Sequence, residues 1–210
     1  MLGMAYSAEQ SSVFILSSDE SKPDGSQNEM LSIDAASGLT KWKLNVGKTE
    51  RMAVNSSSDE IVGVDGDVIS VYSATDHSLR RQGKLPETVV RNGGDVSWSP
   101  DGSKIAYTGS SGAITVVDSG RFAQAAPSIK VENGKEIATF VWRSDSSAIA
   151  VGTIKQDSSG FRTGDDTYVV RVDATGWSKR MCEIAGQGFS SGEWDKYVGD
   201  VMPYDPLCAI

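Results

Sequence analysis

A repeat of about 44 residues constrains the fold of this chain more than any other sequence feature. Four segments align without a gap, and each has an apolar or aromatic anchor followed seven residues later by a β-branched residue. The anchors are Tyr6, Val54, Trp98 and Trp142, and they lie 48, 44 and 44 residues apart. The residues seven positions later are Val13, Ile61, Ile105 and Ile149. Such a period indicates one structural unit repeated four times, whose apolar faces are covered by neighbouring units.

Each unit continues with a second and a third short apolar run, so that it reads as strand, turn, strand, turn, strand. The third runs are residues 30–34, 68–72, 113–118 and 167–173. They are short, rich in β-branched residues and partly alternating, as strands are. Turn-forming sequences such as Pro100–Gly102 and Ser110–Gly112 separate the runs. Because no apolar pattern of helical period extends over about ten residues, we expect almost no helix.

A fourth strand in each unit is predicted at residues 40–44, 79–81, 128–131 and 178–182. These stretches carry or adjoin eight of the 20 Lys and Arg residues: Lys41, Lys43, Arg80, Arg81, Lys84, Lys130, Lys179 and Arg180. One interpretation is a basic binding stripe. We favour the other, that charges on the outermost strand of each sheet prevent edge-to-edge pairing, because the charges follow the repeat.

Four-stranded antiparallel units repeated every 40 to 50 residues are typical of an all-β protein of the β-propeller class, in which each unit is a blade. The predicted blades are residues 4–48, 49–94, 95–138 and 139–186, and residues 187–210 form a closing strand, a tail or part of a further blade. Four blades make either a complete small propeller or part of a larger one, completed by further blades or another chain. An open arc would expose apolar faces at both ends, as interaction surfaces do.

The clearest copy of the repeat is Trp98–Tyr107, which reads WSPDGSKIAY. It resembles the core motif of TolB-like and WD-repeat-like bacterial β-propellers, and Trp142–Ala150 resembles a degenerate copy. The resemblance covers residues 4–186. The first two units lack the Pro-Asp-Gly turn, and in those units it is supported by the regular spacing of the repeat. It implies a fold that many unrelated proteins share. It also implies a location in the cell envelope, although no signal-peptide pattern is evident.

Composition and charge exclude several classes of partner and cofactor. The net charge of −8 argues against general binding to nucleic acid or to anionic membranes, because both need a basic surface. The sequence contains no run of about 18 apolar residues, so we expect no membrane-inserted segment. One His and two Cys residues leave little material for a transition-metal site. We therefore expect no cofactor and no structural metal.

No catalytic constellation emerges from the sequence, so we expect a protein that is not an enzyme. Gly188–Gly192 fits the G-x-S-x-G pattern of serine hydrolases, but no His follows Ser190 to act as the general base. His77 follows Asp76 in a predicted turn, where we expect an exposed side chain rather than a catalytic relay. Cys182 and Cys208 either form a disulfide or remain free.

The expected function is that of a non-catalytic scaffold that binds a protein partner, within a larger protein or complex. Insertions between the second and third strands of the first and fourth units, residues 17–28 and 155–166, are the predicted contact loops. The candidate contact residues are Asp19, Glu20, Lys22, Asp24, Asp157, Phe161, Arg162 and Asp165.

Two alternatives to this function stay open. One is an accessory propeller of a larger hydrolase or peptidase. The other is a propeller that binds a small ligand or calcium through its acidic loops and its central channel. Trp98 and Trp142 could line such a channel, although repeated apolar anchors are more often core.

Overall fold

The computed structural model describes residues 3–18, 28–89, 94–131, 135–156 and 162–173. Within these ranges the chain forms fourteen β-strands in four antiparallel sheets, without a helix. Sheet 1 consists of β1 (Gly3–Ser7), β2 (Ser12–Ser18), β3 (Asn28–Asp34) and β4 (Thr40–Asn45). Sheet 2 consists of β5 (Arg51–Val54), β6 (Glu60–Asp65), β7 (Val68–Ser73) and β8 (Leu79–Lys84).

Sheet 3 consists of β9 (Val96–Trp98), β10 (Lys104–Thr108) and β11 (Ile114–Asp118). Sheet 4 consists of β12 (Lys135–Trp142), β13 (Ala148–Gln156) and β14 (Arg162–Arg171). In every sheet the strands follow one another in chain order, joined by hairpin connections. Strand β12 begins at Lys135, ahead of the predicted unit boundary between residues 138 and 139.

The repeat found in the sequence is the pairing register of the sheets. In each of the four sheets the anchor on the first strand lies directly opposite the residue seven positions later on the second strand. The pairs are Tyr6 with Val13, Val54 with Ile61, Trp98 with Ile105, and Trp142 with Ile149. The all-β prediction is therefore confirmed for the described residues, and the period reflects one hairpin geometry used four times.

The fourth strand of sheet 3 is reduced to isolated bridges. Residues 123–129 run beside β11, and Ile129 exchanges two backbone hydrogen bonds with Ile114. Pro127 lies within this stretch and has no N–H to donate, so a continuous ladder cannot form there. The corresponding prediction for sheet 4, residues 178–182, lies outside the described residues.

The sheets pack face to face in chain order through three apolar cores. The first core joins sheets 1 and 2 and includes Phe14, Leu16 and Ile61. The second joins sheets 2 and 3 around Trp98, and the third joins sheets 3 and 4 around Ile149. Strands β1, β5 and β9 are neighbours, so the first strands of these three sheets run side by side. Burial on both sides explains why the strands of sheets 2 and 3 are nearly continuous apolar runs.

Two tryptophan anchors connect successive first strands by the same hydrogen bond. Trp98 Nε1 donates to the carbonyl oxygen of Ala53 in the preceding sheet at 3.1 Å. Trp142 Nε1 donates to the carbonyl oxygen of Ser97 at 3.4 Å. Trp98 is 5% exposed and Trp142 is partly buried in the third core, so both anchors serve packing between sheets. The structure thus confirms the core interpretation of these two residues over the channel-lining one.

Candidate interaction surfaces

Each sheet has two faces with different neighbours. The leading face carries the residue seven positions after the anchor and points towards the preceding sheet, and the trailing face points towards the following sheet. On the leading faces of sheets 2, 3 and 4, Ile61, Ile105 and Ile149 are all 0% exposed. The trailing faces of sheets 1, 2 and 3 cover them through Phe14, Val62 and Ala106, among others.

The leading face of sheet 1 has no preceding sheet in the described part of the chain. It is formed by six apolar side chains that register places side by side: Met4, Tyr6, Val13, Ile15, Leu31 and Ile33. Met4 is 65% exposed and Tyr6 is 62% exposed, while the other four are partly buried. Contiguous apolar patches with a polar rim mark interaction sites. Here the polar rim includes Lys43 on β4, which lies opposite Leu31 on β3.

The trailing face of sheet 4 is likewise left uncovered by the described residues. Val141, Ala150 and Val169 lie opposite one another across β12, β13 and β14. Val141 is 59% exposed and Val169 is 69% exposed. Ala150 and Gly152 give the central strand a shallow surface between them. The described residues therefore leave Val141 and Val169 uncovered on this face, next to Thr139 and Thr167, which lie opposite Gly152.

A cleft of about 440 Å³ lies between sheets 1 and 2. It is lined by Gln10, Ser12, Ser32, Lys41, Trp42, Ala74, Thr75 and His77. The Trp42 ring packs against His77, with centroids 4.3 Å apart, and against Phe14 at 5.8 Å. One aromatic surface and several hydroxyl groups thus face a common space.

The cation in this cleft is already neutralised. Lys41 Nζ lies 3.2 Å from Asp34 Oδ2 and donates to Ser12 Oγ at 2.8 Å and to the carbonyl oxygen of Gln10 at 3.0 Å. Hydrogen bonds from the Ser37 backbone and hydroxyl, with Lys41 as the weaker contributor, lower the pKa of Asp34 to about 2. Lys41 therefore holds a turn in place, and its charge is not free for an anion.

The prediction of an exposed His77 is wrong, because the structure places this side chain against Trp42. His77 is half-buried, has a φ of 63°, and its backbone N–H donates to Ser73. Its Nε2 is buried and has no hydrogen-bond partner among the described residues. Sequence reasoning missed the contact because His77 and Trp42 lie in turns and edges of different sheets, 35 positions apart.

The residues that carry the family resemblance build a turn. Asp101 Oδ1 accepts hydrogen bonds from Ser99 Oγ, from the Ser103 backbone and from Ser103 Oγ. Burial raises the pKa of Asp101, but these hydrogen bonds outweigh it and hold the pKa at about 2. The Asp101 backbone N–H also donates to Ser146 Oγ in the matching turn of sheet 4. The motif thus fixes one turn and links it to the next.

The structure describes two of the eight predicted contact residues. Asp19, Glu20, Lys22, Asp24, Asp157 and Phe161 lie outside the described residues. Arg162 begins strand β14 and pairs with Glu136 at 3.2 Å, and Asp165 also lies within β14. In the predicted loop 155–166, the described residues 155–156 and 162–166 belong to strands β13 and β14. The sequence pattern did not indicate this because Thr163–Asp166 is polar.

The basic residues on or next to strand β8 are paired with carboxylates of their own sheet. Arg80 lies 2.6 Å from Asp59, Arg81 makes two hydrogen bonds to Glu60, and Lys84 lies 3.4 Å from Asp67. Strands β4 and β8 are the edges of their sheets. This supports the interpretation of edge protection over that of a basic stripe.

The described residues hold no group of three or more His, Cys, Asp or Glu side chains that could bind a metal ion. None of them forms a helix with the length and apolar character needed to cross a membrane. The G-x-S-x-G sequence at residues 188–192, Cys182 and Cys208 lie outside the described ranges.

Comparison with known proteins supports the fold and assigns no family. No family model and no curated protein matches the sequence. Among solved structures, 779 chains match, which indicates a widely shared architecture. One is hydrazine synthase from Kuenenia stuttgartiensis, with a TM-score of 0.54 and 16% sequence identity over 82% of this chain. This chain spans 63% of the length of that one, and the likeness concerns the fold alone.

Proposed function

We propose that this chain is a propeller-type scaffold, related in design to TolB-like and WD-repeat-like propellers, which binds another protein chain through the leading face of sheet 1. The observation that carries the proposal is the exposure of Tyr6 on a face whose counterparts in sheets 2 to 4 are buried. Propeller blades stack in this way, leading face on trailing face, around a common axis. A non-enzymatic role accords with the use of the motif residues in turns.

A protein partner suits this surface better than a small molecule. The face is broad, shallow and apolar, whereas small ligands are usually held in concave sites. Tyr and Met are enriched at protein interfaces because they offer large contact areas. Tyr6 and Met4 are its two most exposed members, so they are the predicted anchor residues.

Photo-crosslinking in cells that produce the native protein tests this function. Benzoylphenylalanine at position 4 is expected to form a covalent adduct with a polypeptide, identified by mass spectrometry. Leu39 is the matched control, because it is 70% exposed but lies in the β3–β4 turn rather than on the leading face. Absence of an adduct at position 4, or the same adducts at position 39, would overturn the proposal.

The cleft between sheets 1 and 2 favours a second candidate function, the binding of a small neutral polar ligand. Its Trp42 ring offers a stacking surface, and Ser12, Ser32 and Thr75 offer hydroxyl groups. A sugar has this chemistry, since its ring stacks on aromatic faces and its hydroxyls form hydrogen bonds. Titration with monosaccharides should change Trp42 fluorescence in the wild-type chain and have no effect in a Trp42→Ala chain. No change in the wild-type chain at millimolar sugar would reject this candidate.

A further inference from the structure

We propose that the partner of the leading face of sheet 1 is the trailing face of sheet 4 in a second copy of this chain. The inference rests on the proposed function, because it names the occupant of the same surface. It predicts a head-to-tail contact, in which the two copies contribute different faces.

The four leading faces have the same register, but only three of them are covered by another sheet. Ile61, Ile105 and Ile149 each pack against the trailing face of the preceding sheet and are fully buried. Val13 is paired with its anchor in the same register, yet it is only partly buried. The surface that fits the leading face of sheet 1 is therefore a trailing face of the same kind.

The trailing face of sheet 4 is of this kind, and the described residues leave it uncovered. The repeat spacing makes Ala150 the counterpart of Ala106, Val62 and Phe14, which cover the sheets that follow them. Val141 and Val169 flank Ala150 and are more than half exposed. Since Tyr6 and Val169 are both exposed, sheets 1 and 4 of one copy do not cover each other at these positions, and a second copy can supply the contact.

The repeat also predicts a hydrogen bond between the first strands of the two copies. The anchors of sheets 3 and 4 donate to the carbonyl oxygen of the residue just before the preceding anchor, Ala53 and Ser97 respectively. In the contact between two copies, the anchor that precedes Tyr6 is Trp142 of the second copy. The Tyr6 hydroxyl would then donate to the carbonyl oxygen of Val141, the residue just before that anchor. Both residues are exposed at the edges of their faces.

The area of one pair of faces favours an assembly in which two copies make two such contacts with each other. Strands lie about 4.8 Å apart and rise roughly 3.3 Å per residue, so the four strands of sheet 1, about six residues each, and the three described strands of sheet 4, about nine residues each, both give a face of roughly 400 Å². One pair of faces then buries about 800 Å², less than the roughly 1,200 Å² at the lower limit of stable interfaces. Two copies that close on each other form two such contacts and bury about 1,600 Å², which is the usual size of a stable interface.

Sedimentation velocity on face-specific variants tests the inference. Tyr6→Asp disables the leading face, and Val169→Asp disables the trailing face; both side chains are exposed, so neither change disturbs a core. The wild-type chain is expected at a multiple of 22.3 kDa, and each variant alone at 22.3 kDa. An equal mixture of the variants is expected to form a heterodimer at high concentration, because it retains one intact contact. Leu39→Asp is the control and is expected to assemble like the wild type.

Two results would overturn the inference. One is a wild-type chain that stays monomeric at about 100 µM, far above the concentration at which micromolar contacts form. The other is a Val169→Asp chain that still dimerises, since that would mean pairing of two leading faces. If the chain is monomeric but position 4 still crosslinks to a different polypeptide in cells, the proposed function stands and the self-association fails.

Discussion

Replacing Trp98 by Phe tests whether the tryptophan anchors join neighbouring sheets. The change removes the hydrogen bond from Trp98 Nε1 to the buried Ala53 carbonyl oxygen, at a net cost of about 0.5–1.5 kcal/mol. The smaller ring also buries roughly 40 Å² less apolar surface, which adds about 1 kcal/mol. The free energy of unfolding should fall by about 1.5–2.5 kcal/mol, equivalent to about 3–10 °C in Tm for a domain of this size.

Trp142→Phe is the matched control for this prediction. Trp142 makes the equivalent bond at the longer distance of 3.4 Å and is only partly buried, so the cost should be under about 1 kcal/mol. Urea unfolding with an unchanged m-value measures both costs. A loss for Trp98→Phe that is no larger than that for Trp142→Phe would refute the assignment of Trp98 as the central contact between sheets 2 and 3.

Three further predictions concern the turns and one buried hydroxyl. Gly102→Ala should destabilise by about 2–4 kcal/mol, because φ is +71° and the new Cβ would meet neighbouring side-chain atoms at 2.6–2.8 Å. Gly112→Ala, with φ at +75° and open space around it, should cost only about 1 kcal/mol in the same thermal melts. The folded pKa of Asp101 is depressed to about 2, so this residue contributes stability that is present above about pH 4 and lost as pH falls towards 2. Asp101→Asn should therefore reduce the dependence of stability on pH in that range. An unchanged acid profile would contradict this. Burial raises the pKa of Tyr107 to about 12, so its contribution is present below about pH 10 and lost as pH rises to 12, and Tyr107→Phe should abolish that alkaline loss in circular dichroism.

Pattern and spacing were sufficient to predict most of the described strands and the turns between them. The repeat singled out four anchors and the residues seven positions later, and in the structure each anchor lies opposite that residue across a hairpin. The turn of the motif was equally predictable, because Asp101 and Gly102 have the local hydrogen-bonding and positive-φ preferences that such a turn requires. These features depend on residues close together in the chain, which is why sequence alone indicates them.

Contacts between sheets were less predictable. The sequence indicated that an open arc would expose its end faces, but it could not show that Tyr6 and Met4 are the most exposed apolar residues on the leading face of sheet 1. It gave no signal for the stacking of Trp42 on His77, since nothing local marks two residues in different sheets as neighbours. Nor did it indicate that β14 begins as early as Arg162, because the polar residues there lack the apolar alternation of a strand.

The most direct test of the central claim is to map which residues lie against the leading face of sheet 1 in the purified chain. Benzoylphenylalanine at position 4 is irradiated, and the adducts are located by peptide mass spectrometry on an equal mixture of isotopically light and heavy chains. The account predicts adducts between light and heavy chains, located on the trailing face of sheet 4 around Val141 and Val169. Adducts confined to sheet 1, or the absence of any adduct between chains, would contradict it.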